Sequence, residues 1–138
     1  MLEGGGKDAR EMNRKLLALA VSLCMVTLPS YGANWVYVEQ SVNGDVFYID
    51  KSSLQRDGDS VTFWTRINNK ERTRLGDLSS RIQETINCRT RESIMRYVMT
   101  YDDIYNRGRL TDSFNPMRKW EPIPPETILW EKMLFVCR

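Results

Sequence analysis

The stretch SVTFWTRI, residues 60–67, decides the fold class of this chain, because its side chains alternate with a period of two. In a strand, Val61 and Phe63 would lie on one face and Trp64 on the other. A polar segment with a glycine follows at 68–79 and reads as a loop. The stretch therefore predicts a β-strand with one buried face that leads into a long loop.

Short segments rich in β-branched and aromatic residues flank this strand on both sides. Turn sequences such as NGD at 43–45 and RDGD at 56–59 separate them. The predicted strands are 35–39, 46–50, 60–67, 81–89, 94–101 and 109–114. Alternation in the fourth strand places Ile86 and Cys88 on its apolar face. Glu84 falls on the same face, so we expect it at the edge of that face.

The last segment has helical rather than alternating periodicity. Residues 120–125, WEPIPP, read as an extended connector, and proline followed by Glu126 is typical of a first helical turn. Met133 and Cys137 are four residues apart and would share one side of a helix. We predict a helix over 125–137, with a strand at 133–137 as the alternative. The fold class is therefore α+β: a meandering antiparallel sheet of about six strands, with one C-terminal helix packed on it.

The first part of the chain has the pattern of an export signal. Met12 begins the pattern with a short basic start, and an uncharged apolar run follows at 16–28. This run is too short to span a bilayer as a helix, which needs about 20 residues. Small residues after the run favour cleavage before Ala33. We predict an N-terminal extension and cleavable signal peptide over 1–32, and an exported domain over 33–138 without a transmembrane span.

The cysteines support export and predict a cross-link. The chain has three cysteines, and Cys24 lies inside the predicted signal. The other two, Cys88 and Cys137, read as one disulfide in an exported domain of this size. They lack C-x-x-C spacing, which disfavours a redox pair. The large Leu23 before Cys24 disfavours lipid attachment there, so we interpret Cys24 as part of the signal.

Composition argues against most enzyme classes. The chain contains no histidine, so it offers neither a Ser-His-Asp nor a Cys-His nucleophile system. No phosphate-binding glycine loop or dinucleotide motif follows a predicted strand. The adjacent acids Asp102 and Asp103 are interpreted as a turn signal. We predict a non-enzymatic protein with no catalytic residues, no cofactor and no metal. With a net charge of +2, we also predict no nucleic-acid partner.

Several segments in order resemble the surface-adhesin protein E family. They are YIDKSSL at 48–54, VTFW at 61–64, INC at 86–88, WEPIPP at 120–125 and VC at 136–137. The resemblance implies a small bacterial envelope protein with an antiparallel sheet, a helix and a disulfide between them. It also implies an adhesin that binds host matrix or serum proteins. The alternative is a soluble periplasmic accessory or structural domain, which the poor lipidation site favours.

The candidate partner-binding residues are one tryptophan and two groups of cations. They are Trp64; Lys70, Arg72 and Arg74 in the predicted loop; and Arg89, Arg91 and Arg96 near the disulfide. Each has a plain structural alternative. Trp64 would pack in the core, the loop cations would form a solvated surface, and the last three would protect an outer strand from aggregation. The alternate residues from Met95 to Tyr101 are predicted to be core.

Overall fold

The computed structural model describes residues 32–116 and 119–138. Residues Ala33–Arg138 form one compact unit. The predicted signal peptide, including Cys24, lies outside the described residues. Within the described ranges, no helix is both long enough and apolar enough to cross a membrane.

The compact unit is an antiparallel sheet with a single α-helix among the described residues. Its elements are β1 Trp35–Gln40, β2 Val46–Asp50, β3 Gln55–Asp57, β4 Ser60–Asn68, β5 Ser79–Asn87, β6 Glu92–Tyr101, β7 Leu110–Phe114, β8 Glu121–Pro122 and α1 Ile128–Val136. The strand order is β1-β2-β4-β5-β6-β7, with β3 paired to β4 and β8 paired to β6. The α+β prediction is confirmed, and the six predicted strands are all present. Only the short β3 and β8 were missed.

The core lies between α1 and one face of the sheet. Phe63 from β4 and Ile86 from β5 are completely buried, and Met133 and Val136 of α1 pack on them. The remaining members of this cluster are Ile49, Val61 and Ile123. Because β4 alternates as predicted, its other face, which includes Trp64, points away from the helix.

Glu84 lies inside the core and not at its edge, so that expectation was wrong. It is 4% exposed, and its neighbour on β4 is the fully buried Phe63. Lys132 of α1 reaches it, with Nζ 2.6 Å from both carboxylate oxygens. Thr65 donates a further hydrogen bond of 2.5 Å to Oε2. The helix thus supplies the countercharge that allows a carboxylate at this position.

The helix begins at Ile128, later than predicted. Glu126 has φ of 61°, which is left-handed backbone and excludes it from a helix. Thr127 caps the first turn, because its Oγ1 accepts a 3.2 Å hydrogen bond from the backbone N–H of Trp130. At the other end, the N–H of Cys137 donates to the carbonyl of Met133 at 2.9 Å. The alternative of a strand at the end of the chain is therefore wrong.

The predicted disulfide is present between Cys88 and Cys137. Its S–S distance is 2.06 Å and its Cα–Cα distance is 5.7 Å. Cys88 directly follows β5, and Cys137 directly follows α1. The bond therefore fastens the helix to the end of a central strand.

A β-bulge changes which residues of β6 are buried. The register shifts so that Gln83 pairs with Tyr97 while Glu84 pairs with Met95. Paired side chains share a face, so Met95 and Tyr97 lie on opposite faces. Met95, Tyr97, Met99 and Tyr101 are all half-buried, whereas Ile94 and Val98 are buried. The prediction that the alternate residues from Met95 to Tyr101 form core was wrong, because the bulge divides them between the two faces of the sheet.

Asp50 fixes the corner that follows β2. It is 4% exposed, and its Oδ1 accepts from the N–H groups of Asn34 and Ser52 at 2.8 and 3.0 Å. We expect Asp50→Ala to destabilise the domain by about 2 kcal/mol, because the backbone N–H groups of Asn34 and Ser52 lose their acceptor and the cap of the corner is removed. Urea unfolding measures this, with the exposed Asp57→Ala as the matched control. Equal midpoints for the two variants would contradict the capping role.

Candidate functional site

The face of the sheet opposite α1, here called the open face, carries a cluster of arginine and aromatic side chains. We call it the arginine–aromatic cluster and define it as Trp35, Tyr48, Trp64, Arg66, Arg81 and Tyr105. The strands β1, β2, β4 and β5 supply all of these except Tyr105, which comes from a 3₁₀ turn at Ile104–Asn106. Five of the six side chains are half-buried, and Tyr105 is 40% exposed.

Both guanidinium groups of the cluster lie over tryptophan rings. The Cζ atom of Arg66 is 4.2 Å from the ring centroid of Trp35. The Cζ atom of Arg81 is 4.6 Å from the centroid of Trp64 and 5.8 Å from that of Trp35. These are cation–π distances, so the rings stabilise the two charges and restrict their positions.

The two arginines face each other across neighbouring strands. Arg66 on β4 and Arg81 on β5 are direct partners in the register. Directly opposed like charges are destabilising. No carboxylate among the described residues is within ion-pair distance of either arginine. Burial lowers the pKa of Arg66, and the neighbouring Arg81 and Arg107 lower it further, whereas Tyr48 and Tyr105 oppose the shift.

A strained connector between β6 and β7 holds Tyr105 against the cluster. Tyr105 has φ of 58°, which is unfavourable for a bulky residue. Its N–H donates to Asn68 Oδ1 at 2.8 Å, and the N–H of Asn106 donates to Ser79 Oγ at 2.9 Å. Asn106 Oδ1 in turn accepts a 3.1 Å hydrogen bond from Nε of Arg66. The connector thereby orients one arginine and places the Tyr105 ring 5.5 Å from it.

The predicted cationic residues lie in two separate places. Lys70, Arg72 and Arg74 are exposed in the β4–β5 loop, whereas Arg89 and Arg91 lie in the turn between β5 and β6. These connections are at opposite ends of β5, a strand of nine residues. Such a strand is about 27 Å long. The two groups therefore do not form one site.

The loop cations differ in how firmly they are held. Nη1 of Arg72 donates to the carbonyls of Gly76 and Asp102 at 2.8 and 2.7 Å, so this side chain fastens the loop to the end of β6. Lys70 and Arg74 have exposed side chains and no ion pair with any described residue. They are the loop charges available to a partner.

Only Arg96 of the group near the disulfide lies on a strand. Arg89 and Arg91 lie in the turn before β6, so they do not guard a sheet edge. Arg96 lies between the residues of β6 that pair with β8 and those that pair with β7, so edge protection stays a prediction for Arg96. Arg89 forms an exposed ion pair with Asp59 at 2.9 Å. Arg91 lies 5.5 Å from the ring centroid of Trp130, and Arg96 is the extra residue at the bulge. Arg89 and Arg91 therefore lie close to the disulfide that joins this turn to the end of α1.

The adjacent acids Asp102 and Asp103 stabilise a turn. Oδ1 of Asp102 accepts from the N–H of Arg109 at 2.7 Å, and Oδ1 of Asp103 accepts from the N–H of Ile104 at 2.8 Å. Their carboxylates are used for backbone hydrogen bonds in the β6–β7 connector. In the described part of the chain, no group of three potential metal ligands converges.

Sequence reasoning identified Trp64 but missed the arginines around it. Arg66 shares the Trp64 face of β4, and this alternation was a usable signal. The pairing of Arg66 with Arg81 was not readable, because a long loop separates the two strands and leaves their register open.

Comparison with known proteins agrees with this architecture. The sequence model of the Surface-adhesin protein E family matches residues 35–138 of this chain. A crystal form II structure of Haemophilus influenzae protein E has a TM-score of 0.60 and 18% identity, and the match covers 82% of this chain and 94% of that chain. A protein E structure from non-typeable H. influenzae has a TM-score of 0.56, also at 18% identity, over 82% of this chain and 81% of that one. No curated protein sequence matches significantly. The family match covers nearly all of the compact unit, and this chain belongs to the surface-adhesin protein E family.

Proposed function

We propose that this protein is an exported, non-enzymatic binding module of the bacterial envelope that attaches to host matrix or serum proteins. Membership of the adhesin family over residues 35–138 is the observation that carries this proposal. The Cys88–Cys137 disulfide supports export, because such bonds persist in oxidising compartments. We place the boundary of the exported domain at residue 33.

We propose that a partner first contacts exposed cations at either of two separate places. Lys70 and Arg74 at one end of β5, and Arg89 and Arg91 at the other, are all exposed. Rim charges of this kind mainly accelerate association. The remaining proposed contacts are Trp64, Arg72 and Arg96, whose aromatic and guanidinium groups are common at interface hot spots.

Surface accessibility on intact cells tests the location. We expect antibody labelling and protease shaving to reach the protein without permeabilisation, while a periplasmic control protein stays protected. Protection until the outer membrane is opened would contradict the adhesin proposal. That result would instead assign the protein to the alternative, a soluble periplasmic accessory domain, which the large Leu23 before Cys24 favours.

Charge neutralisation tests the loop. We expect the double variant Lys70→Gln/Arg74→Gln to bind a responsive matrix or serum protein with an association rate lowered by about tenfold at low salt. Surface plasmon resonance at two salt concentrations measures this. Lys51→Gln, an exposed lysine outside the loop, is the control. A change confined to the dissociation rate would argue against a steering role.

A further inference from the structure

The Arg66–Arg81 pair opposes the stability of the sheet that contains it. The two side chains are direct cross-strand neighbours, and no described carboxylate pairs with either. Burial and the neighbouring cations lower the pKa of Arg66, which reflects the same unfavourable environment. Arginine nevertheless keeps its charge in proteins. Two positive charges without a carboxylate partner among the described residues therefore lie side by side on the open face.

Arg81 adds a second unfavourable feature at the same position. Its Nε is buried and has no hydrogen-bond acceptor, and no other buried side-chain nitrogen or oxygen in the described residues lacks a partner. A buried donor without an acceptor destabilises a folded protein. Violations of this kind concentrate at functional sites, where a ligand supplies what the fold does not. An anion at the terminal nitrogens of Arg81 would offset the repulsion between the two like charges.

The geometry selects among anions. The guanidinium groups already lie over Trp35 and Trp64, at 4.2 and 4.6 Å from the ring centroids. These ring faces are therefore not free to stack on nucleobases. The terminal nitrogens of each guanidinium donate in the plane of the group, which matches a carboxylate. A carboxylate has lone pairs enough to accept from both arginines.

Exposed tyrosines beside the pair favour a protein ligand. Tyr37 is 54% exposed and meets Tyr48 edge to face at 6.3 Å, while Tyr105 is 40% exposed next to Arg66. Tyrosine and arginine are enriched in protein interfaces. A free anion would use the charges but not these rings.

We propose that Arg66 and Arg81 together bind a carboxylate from an acidic segment of a partner protein, with Tyr37 and Tyr105 packing on the residues beside it. This inference rests on the proposed function in one respect, that the partner is a protein. It adds the site and the chemistry of the recognised group.

Peptide binding to the purified, disulfide-bonded protein tests the inference. The probe is a short fluorescein-labelled peptide of alternating glutamate and valine, and the matched peptide has glutamine for glutamate. Fluorescence anisotropy should show binding of the glutamate peptide alone. R66Q and R81Q should each weaken it by about tenfold or more. K51Q removes one positive charge from an exposed residue outside the proposed contacts and should leave the affinity unchanged.

Thermal unfolding separates binding from folding. Removal of one of two opposed like charges should offset the loss of the ring contacts of Arg81, so the midpoint of R81Q should stay close to that of the wild type. R81K keeps the charge but loses the planar fork, so it should bind with intermediate affinity. If R66Q or R81Q does not fold, R81K and the wild-type comparison of the two peptides decide the question.

Several outcomes would overturn the inference. One is equal affinity for both peptides, and another is an equal loss of affinity in R81Q and K51Q. A third is binding of an oligothymidylate or a sulfated glycan that depends on Arg81 and is tighter than binding of the glutamate peptide. Unchanged binding of matrix proteins by R81Q would overturn this inference and leave the proposed function standing. If the protein binds the glutamate peptide but is inaccessible on intact cells, the proposed function is overturned and this inference stands.

Discussion

Lys132→Met is expected to destabilise the domain by about 3–5 kcal/mol, because it leaves the carboxylate of Glu84 buried without a countercharge. Both side chains of the pair are 5% exposed, so water cannot replace the ammonium group without opening the core. The stem of Met fills most of the volume of the Lys stem. The loss therefore comes from the uncompensated charge and not from a cavity.

Urea unfolding followed by circular dichroism measures the effect of Lys132→Met. The exposed neighbour Glu131→Met is the matched control on the same helix, with an expected change within about 0.5 kcal/mol. The triple variant Thr65→Val/Glu84→Leu/Lys132→Met removes every polar member of the network. We expect its stability to return close to that of the wild type or to exceed it. A single variant as stable as the wild type would show that Glu84 does not need its partner.

Loss of the Cys88–Cys137 disulfide is the second large effect. The bond joins residues 49 positions apart. Constraint of a loop of that length in the unfolded chain corresponds to about 4 kcal/mol. Small domains have total stabilities of about 5–15 kcal/mol. The double variant Cys88→Ala/Cys137→Ala should therefore unfold at a much lower urea concentration.

Reduction provides the control for this prediction. The wild type with and without dithiothreitol should differ by about the same 4 kcal/mol, whereas the Ala variant should not respond to the reductant. Coincident unfolding curves for the oxidised and reduced wild type would show that residual structure in the unfolded chain removes the benefit. Both forms should keep the same circular dichroism spectrum in the absence of urea, since the core residues are unchanged.

Local patterns in the chain were sufficient to predict the architecture. Alternation around Phe63, turn sequences with glycine, and the proline-rich entry to the helix each act over a few residues. The disulfide followed from the cysteine count once export was assumed. The helix start was misplaced because Glu126 adopts a left-handed conformation, which its residue type does not announce.

Features that depend on pairing between distant residues were not predictable. The countercharge for Glu84 comes from Lys132, a separation of 48 residues. The bulge opposite Gln83 and Glu84 reversed the expected burial in β6, and the Arg66–Arg81 contact depends on the register across a long loop. Sequence reasoning therefore selected exposed loop cations as candidates and missed the two half-buried arginines on the open face.

The strand order has a consequence for the rate of folding. The strands from β4 to β7 pair with their neighbours along the chain, so this part of the sheet is a series of consecutive hairpins. Local pairings form early because they lose little chain entropy. The helix, whose core contacts are with distant strands, is the natural last step. Interactions made by α1, including the ion pair of Lys132, should then slow unfolding more than they accelerate folding.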